Sequence, residues 1–138
     1  MPDATYSIIY EAQERTQNYL MTLEGIPTDY VMNDGELISL FVTFDEERSV
    51  TISLKVRRRF KKEKYEWREV MLLFAGVTKV DFFEDFATDG GYTDFTFHKS
   101  NEGYYVSFDP YGNSGVPHEE DNLVIEAKRF LFTDTITE

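Results

Sequence analysis

Residues 49–57 carry the clearest pattern in the chain: Val50, Ile52, Leu54 and Val56 alternate with Thr51, Ser53, Lys55 and Arg57. Period two is the repeat of a strand with one buried face, because successive side chains point to opposite sides of a sheet. Residues 37–44 alternate likewise and put Ile38, Leu40, Val42 and Phe44 on one face. Asp45-Glu46-Glu47-Arg48 between the two has the length and polarity of a hairpin connection. In 65–75 the apolar phase changes between Trp67 and Val70, which predicts a bulge or a passage from half-buried to fully buried strand. Gly76 then breaks the run. Residues 77–87 read two ways. Val77, Val80, Phe83 and Phe86 have helical spacing, whereas Thr78, Val80 and Phe82 alternate, and the short β-branched segment 77–83 favours a strand.

Asp89-Gly90-Gly91 is a turn signal. After it come two aromatic strands, 92–98 and 103–108, with Thr93, Phe95 and Phe97 on one face of the first and Tyr104, Val106 and Phe108 on one face of the second. Residues 109–121 make the longest loop, opened by Asp109-Pro110 and punctuated by Gly112, Gly115 and Pro117. The last strand is 122–132, with Leu123, Ile125, Ala127 and Leu131 on one side, and 133–138 reads as a frayed tail. At the other end, Ile8, Ala12, Tyr19 and Leu20 fall on one helical face, predicting a helix over 4–20 capped by Asp3 or Thr5. The strand spans take up about two-fifths of the chain, well above the roughly 20–25% of ordinary domains. The expected fold is therefore mainly β, or α+β by strict count. It is one domain over 1–138, an antiparallel β-sandwich or partly open barrel of about seven strands across 37–132, with the N-terminal helix covering an edge or an end.

Composition sharpens this. The chain has 138 residues and is 16% aromatic, so its acidity belongs to a folded surface and not to a disordered tail. Fourteen Lys and Arg against 26 Asp and Glu give a net charge of −12, which argues against nucleic acid or an anionic membrane as the principal ligand. There is no cysteine, which removes disulfides, thiolate metal sites and a cysteine nucleophile. Met1-Pro2-Asp3-Ala4-Thr5 does not open a signal peptide, and no apolar run approaches the roughly 18 residues of a spanning helix, so a cytoplasmic protein is expected.

Candidate chemistry is sparse. His98 and His118 are the two histidines, and their spacing to carboxylates matches no metal-ligand pattern. No G-x-S-x-G, P-loop or dinucleotide fingerprint occurs. Asp81, Glu84, Asp85, Asp89 and Asp94 crowd one region, and two such carboxyls could run acid–base work in a ligand-binding or hydrolytic barrel. A solvated acidic face gives the same pattern. No catalytic, metal or cofactor residue is assigned, and the balance leans away from an enzyme.

The most unusual local feature is basic. Lys55, Arg57, Arg58, Arg59, Lys61, Lys62 and Lys64 stand against Glu63 alone, a local balance of +6, while the rest of the chain carries −18. A polyanion-binding hairpin and a solubilised strand end both fit. Self-association, with the basic hairpin of one copy on the acidic surface of another, is a third reading. Among the aromatics, Tyr65, Trp67, Tyr92, Tyr104, Tyr105 and Tyr111 could line a groove for sugars or bases. Tyr111, in a Gly- and Pro-bearing loop, is expected to be exposed.

Three stretches are Trp67 followed by Val-Met-Leu-Leu-Phe-Ala-Gly-Val, then Gly-Tyr-Tyr-Val-Ser-Phe-Asp-Pro-Tyr, then Leu-Val-Ile-Glu-Ala-Lys-Arg-Phe. Their order over 37–132 resembles small bacterial β-rich proteins of the polymorphic-toxin immunity kind. The resemblance implies a protein partner and no catalysis. The expected function is a small acidic, non-enzymatic protein-binding domain, an inhibitor of a basic partner. The candidate contacts are Asp81, Glu84, Asp85, Asp89, Tyr111, Glu119, Glu120 and Asp121.

Overall fold

A computed structural model describes residues 19–82, 90–112 and 114–136. Seven strands form a single antiparallel sheet: β1 (Tyr19–Leu23), β2 (Tyr30–Thr43), β3 (Ser49–Lys61), β4 (Lys64–Asp81), β5 (Thr96–Ser100), β6 (Gly103–Asp109) and β7 (Asn122–Ile136). The spatial order is β2-β3-β4-β7-β6-β5, and β1 also pairs with β7. One edge of β7 follows β4, from Val124 opposite Asp81 to Asp134 opposite Val70. Its other edge is shared between β6, over Asn122–Ala127, and β1, over Phe132–Ile136. Mainly-β architecture and antiparallel pairing are thus as the period-two pattern predicts.

The sheet is strongly rolled but not closed. Across the gap, Asp34 N–H donates to the Thr93 carbonyl at 2.8 Å, Tyr92 N–H to Gly35 at 3.0 Å and Leu37 N–H to Gly90 at 2.8 Å. Residues 90–93 therefore clasp the outer edge of β2 just before the chain enters β5. The clasp needs glycine at position 90, since a Cβ there would lie 2.2 Å from the Leu37 carbonyl oxygen. On the β2 side the strand bulges between Val31 and Glu36, with Asp34 at φ 57, which tucks Met32 into the core.

The concave face carries the core. Val50, Ile52, Leu54 and Val56 of β3 meet Val70, Leu72 and Phe74 of β4, and Ile125, Ala127, Phe130 and Phe132 of β7. Phe108 is ringed by Phe82, Tyr92 and Phe95 at centroid distances of 5.1–6.1 Å. Gly76, at φ 63, lies where the inward series shifts from Leu72 and Phe74 to Val77 on β4, and from Phe130 and Phe132 to Ala127 and Ile125 on β7. Left-handed backbone is the reason glycine stands there.

Several expectations need correction. Tyr19 and Leu20 lie in β1, not at the end of a helix, because they pair with Ile136 and Thr135; residues 4–18 of the expected helix lie outside the described residues. Residues 133–136 are not a frayed tail, since β7 runs to Ile136 and Thr133 and Asp134 are buried. Gly76 does not end its strand, and β4 absorbs the segment expected as a separate strand from residue 77 up to Asp81. Of the two readings of the run near Trp67, the passage to fully buried strand holds, Leu72 to Ala75 all being buried, and the bulge does not, there being no register shift at that point. Strand β5 starts at Thr96, because 92–95 leave to reach β2. Ile38, Leu40 and Phe44 are exposed, as β2 bulges again between Leu37 and Ser39 at the edge of the sheet.

Candidate functional site

Loop 110–121 is built around one carboxylate. Asp121 is 6% exposed, and its oxygens accept the Tyr105 hydroxyl at 2.6 Å, the Tyr111 N–H at 2.7 Å and the His118 N–H at 2.9 Å. Burial pulls the Asp121 pKa up, but these donors outweigh it and the net shift is downward. The Glu120 N–H donates to His118 Nδ1 at 2.9 Å, and the imidazole stacks on the Tyr111 ring at 4.5 Å. The loop is thereby fixed with Tyr111 61% exposed and Glu119 and Glu120 in solvent. Asp121 itself, expected among partner contacts, is spent internally as the organiser of the loop.

Pro117 of this loop walls an open trough of about 540 Å³ on the convex face, floored by Tyr105 and lined by His98, Glu102 and Glu126. Cross-strand register explains the grouping: His98 lies opposite Tyr105, which lies opposite Glu126. Glu102 and Glu126 were not singled out by the sequence. Glu126 carries a faint signal, being the polar residue between inward Ile125 and Ala127. Of the acidic run, Asp81 and Asp94 are exposed, and Glu84, Asp85 and Asp89 lie outside the described residues. Among the described residues no group of three or more His, Asp or Glu has the geometry to hold a metal ion.

The basic block lies in strand more than in loop. Strand β3 runs through Arg57, Arg58, Arg59 and Phe60 to Lys61, and Lys62-Glu63 alone make the turn, Glu63 at φ 59. Strand β7 reaches β4 only from Val70, so Lys64–Glu69 pair with β3 alone among the described residues. On the other side β2 follows β3 as far as Arg58, and the Asp29 carbonyl takes the Arg59 N–H at 2.7 Å, so the β3–β4 arm is two-stranded only at its tip, beyond Arg59. Arg57 sits opposite Trp67, and Arg59 opposite Tyr65. Trp67 is 57% exposed, Phe60 49% and Tyr65 48%.

The inward side of the arm is structural. Arg58 binds Asp29 at 3.0 Å and Glu66 at 3.5 Å. Arg68 grips the buried Asp134 carboxylate with two hydrogen bonds of 3.0 Å, and the Tyr30 hydroxyl donates to the same group. This network closes the end of the core below the arm. Lys55 is exposed opposite Glu69, and Arg57 approaches Asp34 at 3.9 Å. Among the described residues Arg59, Lys61, Lys62 and Lys64 take part in no ion pair.

No helix among the described residues is long and apolar enough to cross a membrane. Comparison with known protein families, with curated proteins and with solved structures finds no match.

Proposed function

We propose that this chain is a non-enzymatic, cytoplasmic protein-binding domain of the immunity-inhibitor kind, and that its partner is a basic protein. One observation carries the reading: the loop pinned by Asp121 holds an exposed aromatic, Tyr111, braced on His118 and flanked by the solvent carboxylates Glu119 and Glu120. Rigid aromatics anchor interfaces at low entropic cost, and surrounding charge steers the encounter with a partner of opposite sign.

A photo-crosslinking residue placed at position 111, with a second at position 41 on the exposed edge strand as control, tests it in cells. The expected product is a conjugate to a protein of high isoelectric point, formed at 111 and lost when Glu119→Gln and Glu120→Gln are combined. Absence of a conjugate at 111, or equal capture at 41, overturns the assignment.

A further inference from the structure

The outward face of the β3–β4 arm has no part in the core and none in the loop surface proposed above. On it, Arg57 and Arg59 stand across the ladder from Trp67 and Tyr65, and the Arg57 guanidinium lies 6.0 Å from the Tyr65 ring centroid. Beyond a register shift after Arg59, Lys61 and Lys64 pair with each other next to the turn, Lys64 alternating with Tyr65 onto the other face, so that these two cations flank the rings from the tip of the arm. We infer that this face is a binding site for single-stranded nucleic acid, with Tyr65 and Trp67 stacking on bases and the flanking cations contacting phosphates.

Three features favour a single strand over other polyanions. Exposed rings gain from a partner with flat apolar faces, which unpaired bases offer and a duplex keeps inside its stack. Tyr65 and Trp67 are two residues apart on one face of a strand, hence roughly 6.7 Å apart. That is about twice the 3.4 Å rise per nucleotide of a stacked duplex strand. It suits an extended strand that gives one base to each ring. Finally, arginine beside an aromatic ring continues the stacking surface while neutralising phosphate.

The net charge of −12 does not oppose this. The acidic turn Asp45–Glu47 lies at the far end of β3 from the arm. The eight steps of strand from Ser49 to Arg57 put about 26 Å between them, more than twice the Debye length of about 10 Å at 0.1 M salt. Of the nearby carboxylates, Asp29 and Glu66 are occupied by Arg58 on the opposite side of the arm, and on the outward face Asp34 lies 3.9 Å from Arg57 and Glu69 stands opposite Lys55, each matched by a cation.

Trp67 is the single tryptophan of the chain, so its fluorescence reports the site directly. Titration of the full chain with a short oligothymidylate at about 0.05 M salt is expected to quench that emission, with log K falling against log salt at a slope of about −2 to −3. Combining Arg59→Ala, Lys61→Ala and Lys64→Ala flattens the slope by about 2. Trp67→Ala weakens binding about tenfold while Trp67→Phe retains it, read by anisotropy of a labelled oligonucleotide. All these side chains point to solvent, and an unchanged far-ultraviolet dichroism spectrum confirms folding. Failure of the oligonucleotide to bind overturns the inference. So does equal binding of duplex DNA, heparin or anionic vesicles without a change in tryptophan emission, which would reduce the arm to a charge patch.

Discussion

Asp134 shows how much a single side chain decides in this fold. It is 3% exposed and is ionically satisfied by Arg68, with Tyr30 donating from the facing strand. Asp134→Asn removes the charge that Arg68 was built to meet. The expected loss is about 3 kcal/mol, at the lower end for breaking a buried pair because the guanidinium keeps some water. Tyr30→Phe deletes one hydrogen bond and keeps the ring on Phe132, so about 1 kcal/mol is expected. Urea unfolding of the two variants measures both losses, and a Tyr30 variant weaker than the Asp134 variant contradicts the assignment of Asp134 as the centre.

Among the elements, the clasp of 90–93 on β2 is the least redundant. Gly90→Ala places a methyl against the Leu37 carbonyl and should detach the segment without unfolding β3, β4 or β7. Amide exchange checks this: Tyr92 and Leu37 protection falls while that of Ile52 and Leu72 stays. The same element explains which parts of the fold were legible. Strand β3 was readable because one face is buried from Val50 to Val56 with no bulge. Strand β2 was legible from residue 37 and in its hairpin with β3, but its first half and the face it buries were not, because its bulges shift the phase that alternation relies on. Strand β1 was hidden because Tyr19 and Leu20 also satisfy helical spacing, and only their partners on β7 decide. At the candidate site, Tyr111 was legible from its Gly- and Pro-bearing loop. The role of Asp121 was not, since its main partner is Tyr105, sixteen residues away on another strand.

The molecule as a whole should be stable over a window set by buried phenols and one carboxylate. Burial raises the pKa of Tyr30, Tyr92 and Tyr105, and carboxylate hydrogen bonds add to this at Tyr30 and Tyr105. The folded state holds these protons more tightly than the unfolded chain, so this stability is full below about pH 10 and declines as pH rises further. Absorbance at 295 nm is expected to show three phenols resisting ionisation until the protein unfolds. Asp121 has the opposite sign: its lowered pKa stabilises the loop above about pH 4 and is lost as pH falls through the folded value. Exchange at the Tyr111 amide should quicken in acid before that of the sheet. Strand β7 has a consequence for synthesis. It is the shared neighbour of β1, β4 and β6, yet it comes last of the seven strands in the chain. A ribosome making this protein therefore releases β2, β3 and β4 as a meander whose β4 edge, Val70 to Ala75, stays unpaired until residues 122–136 have been made. That edge is apolar and β-prone, the kind of segment that recruits other chains. The nascent protein thus depends on fast completion, or on a chaperone holding β4, for the time it takes to translate those last strands.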